Sequence, residues 1–197
     1  MKYFVIGLFI ITSIGFLSCE SEQARQQRLQ KAEQIRIERL EREEMEQKQK
    51  EIFNAYINNS LTTGSTPYAS CFGGNSRCST FGCSQIIVRT PSNSDVLVTI
   101  KNSGQVVRHA YVRASSSYEF ELPNGTYQPF FYYGKGWYPD KEMQGSSGCQ
   151  IKGGFISDEV YWKDDPQYLE NNILTYELIL QANGNFSTRP SNANEAF

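Results

Sequence analysis

The chain has 197 residues, a net charge of −2, and 39% hydrophobic and 20% charged residues, enough for one ordinary domain with an appendage and too few for two well-cored domains. The near-neutral balance excludes a nucleic-acid binder that works by bulk charge, and a single histidine, His109, excludes metal sites built on histidine pairs. The averages hide three unlike segments. Residues 1–18 carry one charge, Lys2; residues 20–61 carry 17 of the 40 Lys, Arg, Asp and Glu residues and no Gly or Pro; residues 62–197 hold all seven Pro and 20 of the 26 aromatics.

The first segment has a short basic start, an apolar stretch and Ser18 just before Cys19, the layout of a secretory signal. With Cys at the first mature position it resembles a bacterial lipoprotein signal, although Phe16 and Leu17 displace the usual Leu by one. That resemblance implies diacylation of the Cys19 thiol and cleavage before it. An uncleaved signal anchor and plain secretion are the alternatives; the apolar run of about 15 residues falls short of the roughly 20 that a spanning helix needs. All three place the remainder outside the cytoplasm, and lipidation predicts a cell-membrane or outer-membrane anchor facing the periplasm or the cell exterior. Glu20, Ser21 and Glu22 resemble the acidic surface-export signal of some Gram-negative lipoproteins.

Residues 22–57 are rich in strong helix formers and free of breakers, predicting a helix of about 35 residues, some 50 Å long. Glu38 and Arg42, Glu44 and Lys48, and Glu46 and Lys50 stand in the favourable i, i+4 order. Leu29, Ala32, Ile35, Ile37, Leu40, Met45 and Ile52 keep no heptad register, so the helix reads as a stalk within an anchor-and-stalk segment, 19–61. Weak self-association as a coiled coil and a partner-binding helix are the rival readings.

Asn58 to Pro67 has linker composition, and a body of residues 62–197 follows. Its hydrophobic period is two. Val96, Val98 and Ile100, then Tyr118, Phe120 and Leu122, then Leu174, Tyr176, Leu178 and Leu180 each line one face of a strand. Gln85 to Arg89 and Gly104 to Arg113 add further strands. Asn102-Ser-Gly104, Pro123-Asn-Gly125 and Asn183-Gly184 supply hairpin turns. The expected fold is mainly β: an antiparallel β-sandwich of seven or eight strands preceded by a long N-terminal α-helix.

The run from Val98 to Val107, followed by Tyr118-Glu-Phe-Glu-Leu-Pro-Asn-Gly-Thr-Tyr127, resembles the transthyretin-like and carboxypeptidase-regulatory-like sandwiches of secreted bacterial proteins. The stretch from Phe130 through Trp137 and Gly153 to Asn185-Phe-Ser-Thr is similar to a family of bacterial envelope proteins without an assigned activity. The first likeness implies a domain that binds, braces or presents, not one that catalyses. Past Tyr133 an irregular segment is expected before the last strand.

Cys71, Cys78, Cys83 and Cys149 predict two disulfides in an oxidising compartment, and one of the first three must reach Cys149. Cys83 with Cys149 and Cys71 with Cys78 is the favoured pairing, because Cys83 stands nearest the first strand. A four-thiolate zinc site is the rival, but the spacing lacks a Cys-x-x-Cys knuckle. His109 sits in a strand context, there is no Gly-x-Ser-x-Gly elbow, and Gly134-Lys-Gly-Trp lacks a phosphate-loop ending, so no enzyme and no cofactor are expected. Asp158, Glu159, Asp164 and Asp165 read as solvated or capping acids, with calcium as the alternative, and Asp165-Pro166 as a helix start. Aromatic density is the remaining signal. Either it packs both faces of a sheet, or Trp137, Tyr138, Tyr161 and Trp162 form a platform for a glycan or protein partner. The expected function is a membrane-anchored envelope lipoprotein with a non-catalytic binding or structural domain, the alternatives being a glycan-binding module and an inhibitor or immunity lipoprotein.

Overall fold

The computed structural model describes residues 21–79, 82–145, 148–178 and 188–197; the signal segment, Cys19 and Asn183-Gly184 lie outside the described residues. α1 (Glu22–Tyr56) is 35 residues long and buries none of them, with Leu29, Leu40 and Met45 all more than half exposed. The uninterrupted run of helix formers explains its length, and the pair Asn58-Asn59 marks its end. No helix among the described residues is long and apolar enough to cross a membrane. Two compact units are separated at Gln47 and Lys48, within α1, rather than at the expected boundary near residue 62.

The second unit is the sandwich. Its smaller sheet has the order β4 (Ser117–Pro123), β1 (Cys83–Arg89), β8 (Ile173–Glu177), with β1 antiparallel to β4 and parallel to β8. The larger sheet runs β3 (Gln105–Val112), β2 (Asp95–Asn102), β5 (Gly125–Met143), β6 (Ile151–Lys163), β9 (Arg189–Pro190), and β7 (Gln167–Leu169) pairs with the start of β5. Period-two alternation places Ile86, Val88, Phe120 and Leu122 of one sheet against Val98, Ile100, Phe131 and Tyr133 of the other, all buried in the inter-sheet core. Asn102-Ser-Gly104 makes the expected hairpin: Ser103 and Gly104 both take positive φ, at 50° and 82°, as a two-residue turn demands. Pro123-Asn-Gly125 does not. It carries the chain from β4 in the smaller sheet to β5 in the larger, and the Tyr127 hydroxyl, donating to the Pro123 carbonyl at 2.8 Å, fixes that corner.

The segment after Tyr133 belongs to the longest strand pairing among the described residues, and is not irregular chain. Four glycines, Gly134, Gly136, Gly153 and Gly154, disguise it, and at Gly134 and Gly153 the space a side chain would need is already filled by aromatic residues. A Cβ on Gly134 would come within 2.3 Å of the Phe155 side chain, and one on Gly153 within 2.7 Å of the Trp137 ring. The helix expected at Asp165-Pro166 is likewise absent. Asp164 is buried, accepts the Tyr176 hydroxyl at 2.7 Å and the Asp165 N–H at 2.8 Å, and turns the chain directly into β7.

The larger sheet is apolar on its outer face too. Leu97, Tyr111, Phe130, Tyr132, Trp137 and Phe155 form a second core, covered by Leu61, Tyr68, Cys71, Phe72 and the 193–197 turn ending in buried Phe197. The polar stretch that reads as a linker is therefore a covering layer. α2 (Ala69–Phe72) carries Cys71 over this face, where it bonds Cys149 in the β5–β6 connection, while Cys78 bonds Cys83. The pairing expected from sequence is corrected by layer: Cys83 opens β1 in the smaller sheet, whereas Cys71 packs with the second core of the larger one.

The same layer closes the edge of β3. Gly64 N–H donates to the Tyr111 carbonyl and Tyr111 N–H to Ser65, both at 2.8 Å, and the Asn75 amide bonds both backbone groups of His109. His109 is fully buried, its Nε2 accepts the Tyr68 N–H at 3.1 Å, and its Nδ1 has no hydrogen-bond partner among the described residues. Burial lowers its pKa from the ordinary value to about 4. The unfolded chain, with its histidine at about 6.5, then binds the extra proton at mildly acidic pH, so stability is complete above that value and declines as pH falls toward 4. Denaturant unfolding at pH 7 and pH 5 should show a loss of about 2 kcal/mol in the wild type. In His109→Gln, whose amide can still accept the Tyr68 N–H, that loss should be largely absent; an equal slope in both proteins would contradict the assignment.

Candidate functional site

At the start of β2 in the larger sheet, an open cleft of about 320 Å³ lies where residues 57–60 leave α1 and meet the turn before β2 and a bulge in β5. Asn58, Ser60, Ser92, Asn93, Asp95 and Lys135 are among the side chains that line it. Its frame is fixed by buried and half-buried hydrogen bonds. Asp95 accepts the Ala114 N–H at 2.7 Å on one oxygen, and on the other the Ser60 hydroxyl at 2.7 Å and the Tyr111 hydroxyl in a short bond. Burial, and then the hydrogen bond to Asp95, raise the Tyr111 pKa, so the phenol stays a donor. Asn59 clasps Trp137 at two points: its amide donates to the Trp137 carbonyl at 2.7 Å, and its own carbonyl accepts the Trp137 N–H at 2.9 Å.

The opposite wall is strained backbone. The β5–β6 register shifts between Tyr133 and Lys135, Gly136 has φ +70°, and across the pairing Asp158 sits at φ +55°. A Cβ on Gly136 would lie 2.8 Å from both Ile57 Cα and the Tyr56 carbonyl oxygen, so this bulge is what lets the strand approach the end of α1. A non-glycine residue in the left-handed region costs on the order of 1 kcal/mol and persists where the surroundings fix it. Here the Lys135 ammonium bonds the Asp158 carboxylate at 2.8 Å, which also holds that carboxyl below its usual pKa.

The four aromatic residues expected to share a platform are dispersed. Trp137 is only 2% exposed and packs edge-on against Tyr111 and Phe155. Tyr161, paired with Tyr132 and stacked on it at 4.4 Å, belongs to the second core; its sequence neighbour Trp162, opposite Phe131, turns to the inter-sheet core. Tyr138 is half-buried beside Tyr56, with ring centroids 4.8 Å apart. The alternation of a regular strand explains the correction, because consecutive residues of β6 cannot point the same way. Both faces of the sheet are packed, the other outcome the sequence left open.

The four acids are also separate. Asp158 meets Lys135, Glu159 accepts the Tyr132 hydroxyl at 2.6 Å and pairs with Lys141, Asp164 meets Tyr176, and Asp165 pairs with Arg189. No group of three metal-ligating side chains gathers among the described residues. His109 lies within packing, bonded through its ring to a backbone N–H, and not beside a nucleophile. The cleft therefore offers hydrogen-bonding side chains, with the Ser60 hydroxyl already bonded to Asp95. No protein-family model, curated protein or solved structure matches this chain.

The cleft residues were hidden in sequence by their ordinariness. Asn58-Asn-Ser60 reads as linker, and Pro91-Ser-Asn-Ser94 stands between two expected strands; the available signal was the repetition of small amide and hydroxyl side chains in both stretches. For Trp137, truncation to Ala should destabilise the protein by about 3 to 5 kcal/mol, seen as a large drop in Tm. An unchanged Tm would return Trp137 to the surface.

Proposed function

We propose that the protein is a lipid-anchored component of the bacterial cell envelope, in which acylated Cys19 holds the chain to a membrane, α1 acts as a spacer, and the sandwich is a non-catalytic binding module with the cleft as its ligand site. The observation that carries this reading is the combination of a 35-residue helix with no buried residue and a sandwich braced by two disulfides. A solvated helix of that length contributes nothing to a core, and disulfides form and persist in oxidising compartments outside the cytoplasm. The signal-like residues 1–18, with Ser18 before Cys19, supply an address that agrees with both. Several acyl chains at roughly 0.8 kcal/mol per buried methylene would hold such a protein firmly.

The binding role is supported by the form of the cleft: an open, fixed frame of satisfied hydrogen bonds with exposed amides and hydroxyls at its rim. The transthyretin-like pattern of strand, turn and Leu-Pro fits the same non-catalytic class. Labelled palmitate supplied to cells producing the full chain should enter the wild-type protein and not Cys19→Ala, and the mature wild-type protein should begin at Cys19. Absence of label from the wild type, or a mature terminus elsewhere, would contradict lipid anchoring.

A further inference from the structure

We infer that the cleft binds a neutral saccharide, a ligand class that rests on the cleft being the ligand site of a binding module. Three features of the lining select it. The first is charge. Both ionic groups at the cleft are already answered from within: Lys135 by Asp158 at 2.8 Å, and Asp95 by three donors from Ser60, Tyr111 and Ala114. An anionic ligand would have to displace Asp158 from Lys135, and a cation would have to compete with those three donors, so net charge on the ligand finds no unanswered partner.

The second feature is the chemistry of what remains. The Asn58 and Asn93 amides and the Ser92 hydroxyl each both donate and accept, and Asn58, Ser92 and Asn93 are exposed. A sugar ring presents the same dual character on every hydroxyl, so each side chain can meet one or two hydroxyls whatever their orientation. Peptide recognition by strand addition needs an open row of backbone groups instead. The backbone at this wall is engaged, since the Trp137 N–H and carbonyl both bond Asn59 and the Gly134 carbonyl lies 3.2 Å from Ser94 Oγ.

The third is size and rigidity. About 320 Å³ lies at the lower end of ligand clefts, suited to a small molecule. The Gly136 bulge and the Asp95 hydrogen bonds fix the backbone of this wall, so little ordering is needed on binding.

The test uses the full chain in detergent micelles on a printed array of neutral and acidic oligosaccharides, with Asn58→Ala/Asn93→Ala as the comparison. Both positions are exposed, so the variant should melt with the wild type. Retention on at least one neutral oligosaccharide, weakened at least tenfold in the double variant, is the expected result. Retention on no neutral saccharide, retention confined to acidic ones, or retention that the variant leaves intact would overturn the inference. A parallel arm with purified envelope separates the two levels. If the wild type is retained there and the variant released while the array stays blank, the binding module stands and the saccharide class falls; if the variant is retained equally on the envelope, both fall.

Discussion

The larger sheet has two apolar faces, and the rest of the folded unit is arranged to cover the second. In β2, six consecutive residues from Val96 to Lys101 are buried, so neither side of this strand meets water. A sandwich ordinarily needs only one covered face per sheet, with polar residues alternating on the other. Here Leu97, Tyr111, Phe130, Tyr132, Trp137 and Phe155 stand on the outer side, and leaving six such residues wet would forfeit roughly 1.5 to 3 kcal/mol each. The chain answers with segment 57–79 and the turn at 193–197.

That covering layer is poor in regular structure, which explains the devices that hold it. The Cys71–Cys149 bond, closing a separation of 78 residues, ties the layer to the β5–β6 connection, and Tyr68 is fixed through its N–H to His109 and through its hydroxyl to the Gly153 carbonyl at 2.7 Å. Thr99 donates to the Ala196 carbonyl at 2.9 Å, holding Phe197 over the sheet. The cleft is a by-product of the same arrangement: where the layer leaves α1 and first meets β5, the backbone must pass close to Gly136, and small polar side chains line the gap.

What could be read from sequence follows from which signals are local. The helix 22–56, the alternating strands around Val98 and Phe120, the Asn102-Ser-Gly104 hairpin and the presence of two disulfides rest on neighbouring residues, and the structure has them. The misses share one cause, a partner distant in sequence. Gly134 and Gly153 look like loop residues until Phe155 and Trp137 are laid over them. Leu61 looks like linker until an apolar sheet face lies beneath, and Cys83, nearest the first strand, looks like the partner of Cys149 until β1 is assigned to the other sheet. The cleft was illegible for the same reason, since its lining comes from four separated stretches of chain.

Hydrogen exchange of the oxidised protein and of Cys71→Ala/Cys149→Ala measures the covering layer most directly. If the layer is pinned chiefly by that bond, the variant should lose protection at Gly64, Tyr68 and Tyr111, whose amides bond across the layer, while Ile86, Val98 and Phe120 in the inter-sheet core stay protected. Equal loss across both cores, or undiminished protection at Gly64, Tyr68 and Tyr111, would contradict a second face closed by a separately fastened layer.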